Sequence, residues 1–254
     1  MLRSIFRNAG IHPRRLAAAI CGWRRYMKER SEYRNAPNDG SWPWSNELPM
    51  LTEWQETSGS LGTYFFQDQL VARWIYESSP LRHVDVGSRL DGFIGNLSVF
   101  REVEVIDIRP QPTDVPNVRF HQLDLMAELP EPWISCTDSL SCLHTIEHFG
   151  LGRYGDPIDP DGHLKGLNQL KRMIKQGGML YLSTPIGPQR VEFNAHRVTA
   201  PSTLAGWFDD AWVIERCAVI DDGNHITESS DVAELKYFKG NMGVGIVAAR
   251  KKRD

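Results

Sequence analysis

Val84-Asp85-Val86-Gly87-Ser88-Arg89-Leu90-Asp91-Gly92 is a short apolar segment that breaks at a glycine and resumes with helical spacing through Phe100. A strand that runs into glycine and then into a helix forms a tight turn. Its backbone N–H groups point outward, and its side chains stay small where a ligand comes close. His83–Val86 therefore reads as a strand and Gly92–Phe100 as the helix after it. Asp107 follows Asp85 by 22 residues, at the end of a second apolar run, Val103–Ile108. A third run, Val118–Leu123, ends at Asp124-Leu125.

Working outward, Phe66, Leu70, Val71, Trp74 and Ile75 recur at helical spacing before the first strand. After the third strand, Ser139–Leu143 reads as a fourth and Met179–Ser183 as a fifth. Between them, Leu164, Leu167, Leu170 and Ile174 mark a helix that stops at Gly177-Gly178. Pro201–Phe208 reads as a helix, and Trp212–Ile220 and Gly243–Ala249 as late strands suited to an antiparallel pair. Strands alternating with helices predict a doubly covered parallel sheet. The expected fold is α/β: a Rossmann-like, seven-stranded, mostly parallel sheet with helices on both faces and an N-terminal helical extension.

The 254 residues carry a formal charge of −3. Residues 1–30 hold eight Lys/Arg against Glu29 alone, which leaves the rest at −10. So acidic a main body argues against nucleic acid, whose phosphates need a broad cationic face. Cys21, Cys136, Cys142 and Cys217 show no metal or disulfide spacing, which predicts a reducing, cytoplasmic setting, with the inner membrane face as an added location. No apolar run reaches the roughly 18 residues of a membrane span, and no signal peptide is expected. In residues 14–30, Leu16, Ile20, Trp23 and Met27 share one helical face among arginines. Such a helix packs on its own domain or on a partner, or lies on an anionic membrane. Residues 31–62 form an arm rich in Pro, Gly, Ser, Asn and Trp, so the expected division is 1–62 and 63–254.

Three acidic strand ends in register define the candidate binding edge. A carboxylate about 20 residues after the glycine turn accepts hydrogen bonds from both hydroxyls of a ribose, the role expected of Asp107. Asp124 stands where it reaches an adenine. A dinucleotide turn has three glycines, G-x-G-x-x-G, and here Arg89 occupies the place of the second. The segments Asp85-Val86-Gly87-Ser88, Asp107, Asp124-Leu125, Asp138–His148 and Gly177–Ser183 resemble the motifs of class I S-adenosylmethionine-dependent methyltransferases. Tyr64–Asp68, His83–Phe93, Val105–Pro110, His148–Pro157 and Glu192–Arg197 resemble a bacterial methyltransferase-like family of unknown function found near surface-polysaccharide genes. The resemblance implies S-adenosyl-L-methionine as cofactor, held by Asp85, Gly87, Ser88, Arg89, Asp107, Ile108, Asp124, Leu125 and Leu143. It implies O-methylation of a sugar or surface-glycan intermediate as the small-molecule or glycan substrate, with an inactive methyltransferase-like scaffold or binding protein in glycan assembly as the alternative.

His144-Thr145-Ile146-Glu147-His148 also fits the H-x-x-E-H pattern of zinc peptidases, but those ligands need a continuous helix. Here a strand precedes and Phe149-Gly150 follows, so no metal is expected. Beyond the fourth strand the segment faces the reacting atoms, which makes His148, His144 and Glu147 the candidate catalytic groups. Arg153, Tyr154, Asp156, Asn194, His196 and Arg197 are the candidate substrate-binding residues.

Overall fold

The computed structural model describes residues 13–37, 41–55, 59, 61–111 and 114–253; the basic positions Arg3 and Arg7 lie outside them. The chain divides into two compact units at Ser60/Leu61. In the first, helix α1 (Pro13–Asn35) is met by the arm along one side. A Cβ at Gly22 would lie 1.8 Å from the Leu51 carbonyl oxygen, so only glycine permits that approach. Tyr26 and Arg30 donate to Glu47, Arg25 lies over Trp54, and Arg34 lies over Trp44. Of the arm's tryptophans, Trp44 and Trp54 touch α1, while Trp42 is 87% exposed. The predicted apolar row, Leu16, Ile20, Trp23 and Met27, remains exposed. No helix among the described residues is long and apolar enough to cross a membrane.

The second unit begins with α2 (Thr63–Ser78) and β1 (His83–Val86). A π-type turn over Leu90–Ile94 leads into the short α3 (Gly95–Ser98). Then come β2 (Val103–Asp107), β3 (Val118–Gln122), β4 (Thr137–Leu143), α4 (Gly162–Met173) and β5 (Ile174–Ile186). A small ribbon, β6 (Arg190–Glu192) and β7 (His196–Val198), precedes α5 (Pro201–Gly206). The chain closes with β8 (Trp212–Ile220), β9 (Ile226–Ser229) and β10 (Gly243–Lys251).

The main sheet has the order β3-β2-β1-β4-β5-β10-β8-β9. Strands β1 to β5 run parallel, and β10 enters antiparallel between β5 and β8. The sheet therefore has eight strands rather than seven, because β9, too short and exposed to show an apolar pattern, pairs with β8. The order reverses at β1, the switch point where such sheets open a crevice at their carboxyl ends. Val84, Val86, Ile106, Leu140 and Cys142 face Leu167, Leu170 and Met173 of α4, while Leu70, Val71, Trp74 and Ile75 of α2 join Val105, Leu143 and Tyr181 on the other face. Both faces are buried, as a parallel sheet requires.

Candidate functional site

Gly87 ends β1 with φ +75°, and a Cβ there would stand 2.3 Å from Thr145 Cγ2. The turn after β1 is thereby pressed against the turn after β4. Its N–H donates to Ile106 O on β2 at 2.8 Å. Asp85, fully buried, holds the turn from inside: it accepts from Ser88 N–H, Ser88 Oγ and, at 2.5 Å, Ser141 Oγ of β4. Burial pushes this carboxyl up to about 7 against those three bonds. His83 contacts Ser139 Oγ and Ser141 Oγ, and burial pushes it down to about 3, so it is neutral. Because Ser141 donates to Asp85, its oxygen accepts from His83 Nε2–H. Asp85 and Ser88 are therefore internal fasteners of the turn. Arg89 points outward, paired with Asp91 at 2.6 Å and 78% exposed, and does not fill the crevice.

At the end of β2, Asp107 is held by its neighbour two residues on. Oδ1 accepts from Arg109 N–H and Nε, and Oδ2 from Arg109 Nη2 at 2.6 Å. Arg109 also lies 4.4 Å over the Tyr154 ring. Ile108 is half-buried. Asp124 accepts from Met126 N–H through Oδ1, and Leu125 and Leu143 are sealed in the core, so these two leucines offer a ligand only their backbone.

His144 leaves β4 at φ +50°, an unusual backbone for a residue with a side chain and one that recurs at functional sites. Its N–H is held by Ser183 of β5. The imidazole Nδ1 lies 2.9 Å from Glu147 Oε1. With Nδ1–H given to that carboxylate, Nε2 keeps a free lone pair, and it has no partner among the described residues. Glu147 is buried to 99% at its side chain, and its Oε2 is also unpartnered. His148 Nδ1 sits 2.6 Å from Ala195 O, and its Nε2 lies 3.9 Å from Glu147 Oε1. Burial pushes the His148 imidazole below its ordinary value. Ile146–His148 form a single 3₁₀ turn, so the two histidines are not stacked on a helix. No group of three metal-ligating side chains is gathered among the described residues.

The loop after His148 folds back over this edge. Tyr154 lies between Arg109 and Arg153 and meets His148 edge-on at 5.4 Å. Arg153 donates to Ala195 O. Two residues expected to bind substrate are spent on the loop itself. Asp156 accepts the N–H groups of Gly150, Gly152 and Tyr154. Arg197, 8% exposed, donates to the carbonyls of Glu147, Phe149 and Pro160. Asn194 is exposed, and His196 Nε2 lies 3.4 Å from Glu192.

The sequence reading did not place α2 in the site. Tyr64 packs edge-on to His144 at 4.8 Å. Gln67, 1% exposed, accepts from Ser183 Oγ and donates to Asp68. The signal was a polar pair on the face that carries Leu70, Val71, Trp74 and Ile75.

The fold is the Rossmann-like α/β fold of methyltransferases. The N-methyltransferase NodS from Bradyrhizobium japonicum WM9, in complex with S-adenosyl-L-homocysteine, superposes with TM-score 0.52 at 13% identity, over 88% of this chain and 98% of that one. A second structure of NodS gives 0.50 at 11% identity, over 74% and 97%. The 1,6-didemethyltoxoflavin-N1-methyltransferase of Burkholderia thailandensis gives 0.45 at 13%, over 95% and 91%. In sequence, residues 119–216 match a family model described as "Caenorhabditis protein of unknown function, DUF268". Comparison with curated protein sequences finds no match.

Proposed function

We propose that the chain is an S-adenosyl-L-methionine-dependent methyltransferase that methylates a hydroxyl of a sugar or surface-glycan intermediate. The observation that carries this reading is the His144–Glu147 pair, set beside a glycine turn that has no room for a Cβ. The residues present fit the cofactor. The reading gives Asp107 the ribose diol once Arg109 swings aside and gives Ile108 and Asp124 the adenine, and it is supported by Arg89 leaving the turn clear.

When bound, this cofactor supplies an electrophilic methyl group on a sulfonium, and its C–S bond electrons leave with sulfur as a thioether. The protein's part is alignment and proton removal. His144 Nε2 takes the hydroxyl proton as the acceptor oxygen forms its bond to carbon. Glu147 holds His144 through Nδ1 and stabilises the imidazolium that results. His148, whose Nδ1 is tied to Ala195 O beside Arg153, orients the loop and the acceptor instead. Tyr154, Arg153, Asn194 and His196 make a polar rim of the kind that binds polyols. The exposed apolar row of α1 supports a protein or membrane contact at the cytoplasmic face.

A second reading is favoured by one observation: an arginine already occupies Asp107, as expected of a scaffold that has lost cofactor binding. Isothermal titration of the full chain with S-adenosylmethionine and S-adenosylhomocysteine separates the two, with NAD as the control. Micromolar binding of both adenosyl compounds and none of NAD supports the enzyme; no binding by folded protein establishes the scaffold.

A further inference from the structure

Among the described residues, no cation pairs with the Asp68 carboxylate. It lies on α2, half-buried, and its Oδ1 accepts from Gln67 Nε2 at 3.2 Å. Its Oδ2 has no hydrogen-bond partner among the described residues, and it faces Gly92, where an added Cβ would lie 3.0 Å away. Gln67 is fixed in turn by Ser183 Oγ at 2.6 Å, and Ser183 by the His144 N–H at 3.1 Å. The carboxylate is therefore built into the wall between the glycine turn and His144. Arg89, whose charge reaches Asp68, is committed to Asp91. Burial pushes the Asp68 carboxyl up to about 6, which is the cost of leaving it unpaired. The His144 imidazole, close enough to act on the Asp68 charge, is nine-tenths buried, and its Nε2 has no partner among the described residues.

The sheet order gives this place a meaning. Asp107 ends β2 on one side of β1, and His144 follows β4 on the other. Those strands are two spacings apart, roughly 10 Å. A ligand whose diol meets Asp107 and which crosses β1 brings its opposite end to Asp68. Building on the proposed cofactor, we infer that Asp68 is the counter-ion of an α-ammonium group, that of the amino-acid end of S-adenosylmethionine. Gln67 positions the carboxylate through a neutral bond, so its charge stays available. Asp85 lies close behind but is closed off by its own three bonds.

The test is calorimetric titration of the full chain with three probes: S-adenosylmethionine, S-adenosylhomocysteine and 5′-methylthioadenosine, which lacks the amino-acid end. A lost charged hydrogen bond predicts that wild-type protein holds S-adenosylhomocysteine about 10- to 100-fold tighter than 5′-methylthioadenosine. Asp68→Asn removes that advantage for both amino-acid-bearing probes and leaves 5′-methylthioadenosine unchanged. Equal wild-type affinities for the last two probes overturn the inference without any substitution. So does an Asp68→Asn variant that keeps full S-adenosylhomocysteine affinity. If wild-type protein binds none of the three, the proposed function itself fails and the inference falls with it.

Discussion

Removing the Arg109 side chain is expected to tighten cofactor binding, although arginines in ligand sites usually help. A carboxylate has about four lone-pair positions. Arg109 fills three of those on Asp107: two through N–H and Nε at Oδ1, and one through Nη2 at Oδ2. One remains, and a ribose diol needs two. The Arg109 guanidinium must therefore swing aside when a nucleoside enters. Its side chain is 49% exposed and that of Asp107 is 13% exposed. An ion pair of this kind contributes at most about 1 kcal/mol, near the upper end for surface pairs because the contact is two-pronged. Arg109→Ala keeps the backbone N–H bond and frees the other two positions. S-adenosylhomocysteine affinity should then rise about fivefold, the equivalent of that 1 kcal/mol. Asp107→Ala should lower it by about 1–3 kcal/mol, and the gain from Arg109→Ala should vanish in the double variant. Isothermal titration of the four proteins reads all of this. Arg109→Ala binding equal to or weaker than wild type would refute the reasoning and make Arg109 a ligand contact in its own right.

Gly87→Ala forces a side chain into φ +75° and onto Thr145 Cγ2. Strain and overpacking together should cost about 2–4 kcal/mol in urea unfolding, and a loss under about 1 kcal/mol would mean that the β4 turn yields easily. In turnover assays with an acceptor, His144→Ala should slow methyl transfer about 100-fold while S-adenosylhomocysteine affinity holds, with His148→Ala the milder change. The reverse order would move the base to His148. The buried His83, down to about 3 from an unfolded value near 6.5, takes up no proton in the folded state at mildly acid pH. Its contribution is complete above about pH 6.5 and falls as pH drops towards the folded value, by about 2 kcal/mol at pH 5. His83→Gln should remove that part of the acid sensitivity, measured as the wild-type-minus-variant difference between pH 7.5 and 5. Identical slopes would show that His83 is protonated where it lies.

How far the site was legible differs residue by residue. Gly87 and Asp107 could be found from sequence because each sits at the end of a short apolar run that breaks locally. The His144–Glu147 pair is equally local, three residues apart in one turn. Asp85 stood in the same motif, yet its role turned on Ser141, 56 residues further along the chain. Asp156 and Arg197 looked like free polar groups, but backbone carbonyls and N–H groups that only the folded loop gathers use them up. Asp68 and Gln67 were overlooked because α2 precedes the glycine turn and Gln67 is fixed to β5 through Ser183, 116 residues further along the chain.

The amino-acid order alone determined that strands alternate with helices, that the first strand ends in a glycine turn, and that Asp85, Asp107 and Asp124 lie at or beside strand ends, Asp107 alone closing one. Those properties follow from backbone sterics and apolar periodicity within a few residues. The tertiary structure decided which of those charges remain available to a ligand. It set β1 between β2 and β4, turned Arg89 out to Asp91, laid Arg109 on Asp107, and left Asp68 unpaired. A charge in a buried wall is defined by its partner, and partners are supplied by segments that become neighbours only when the sheet is assembled.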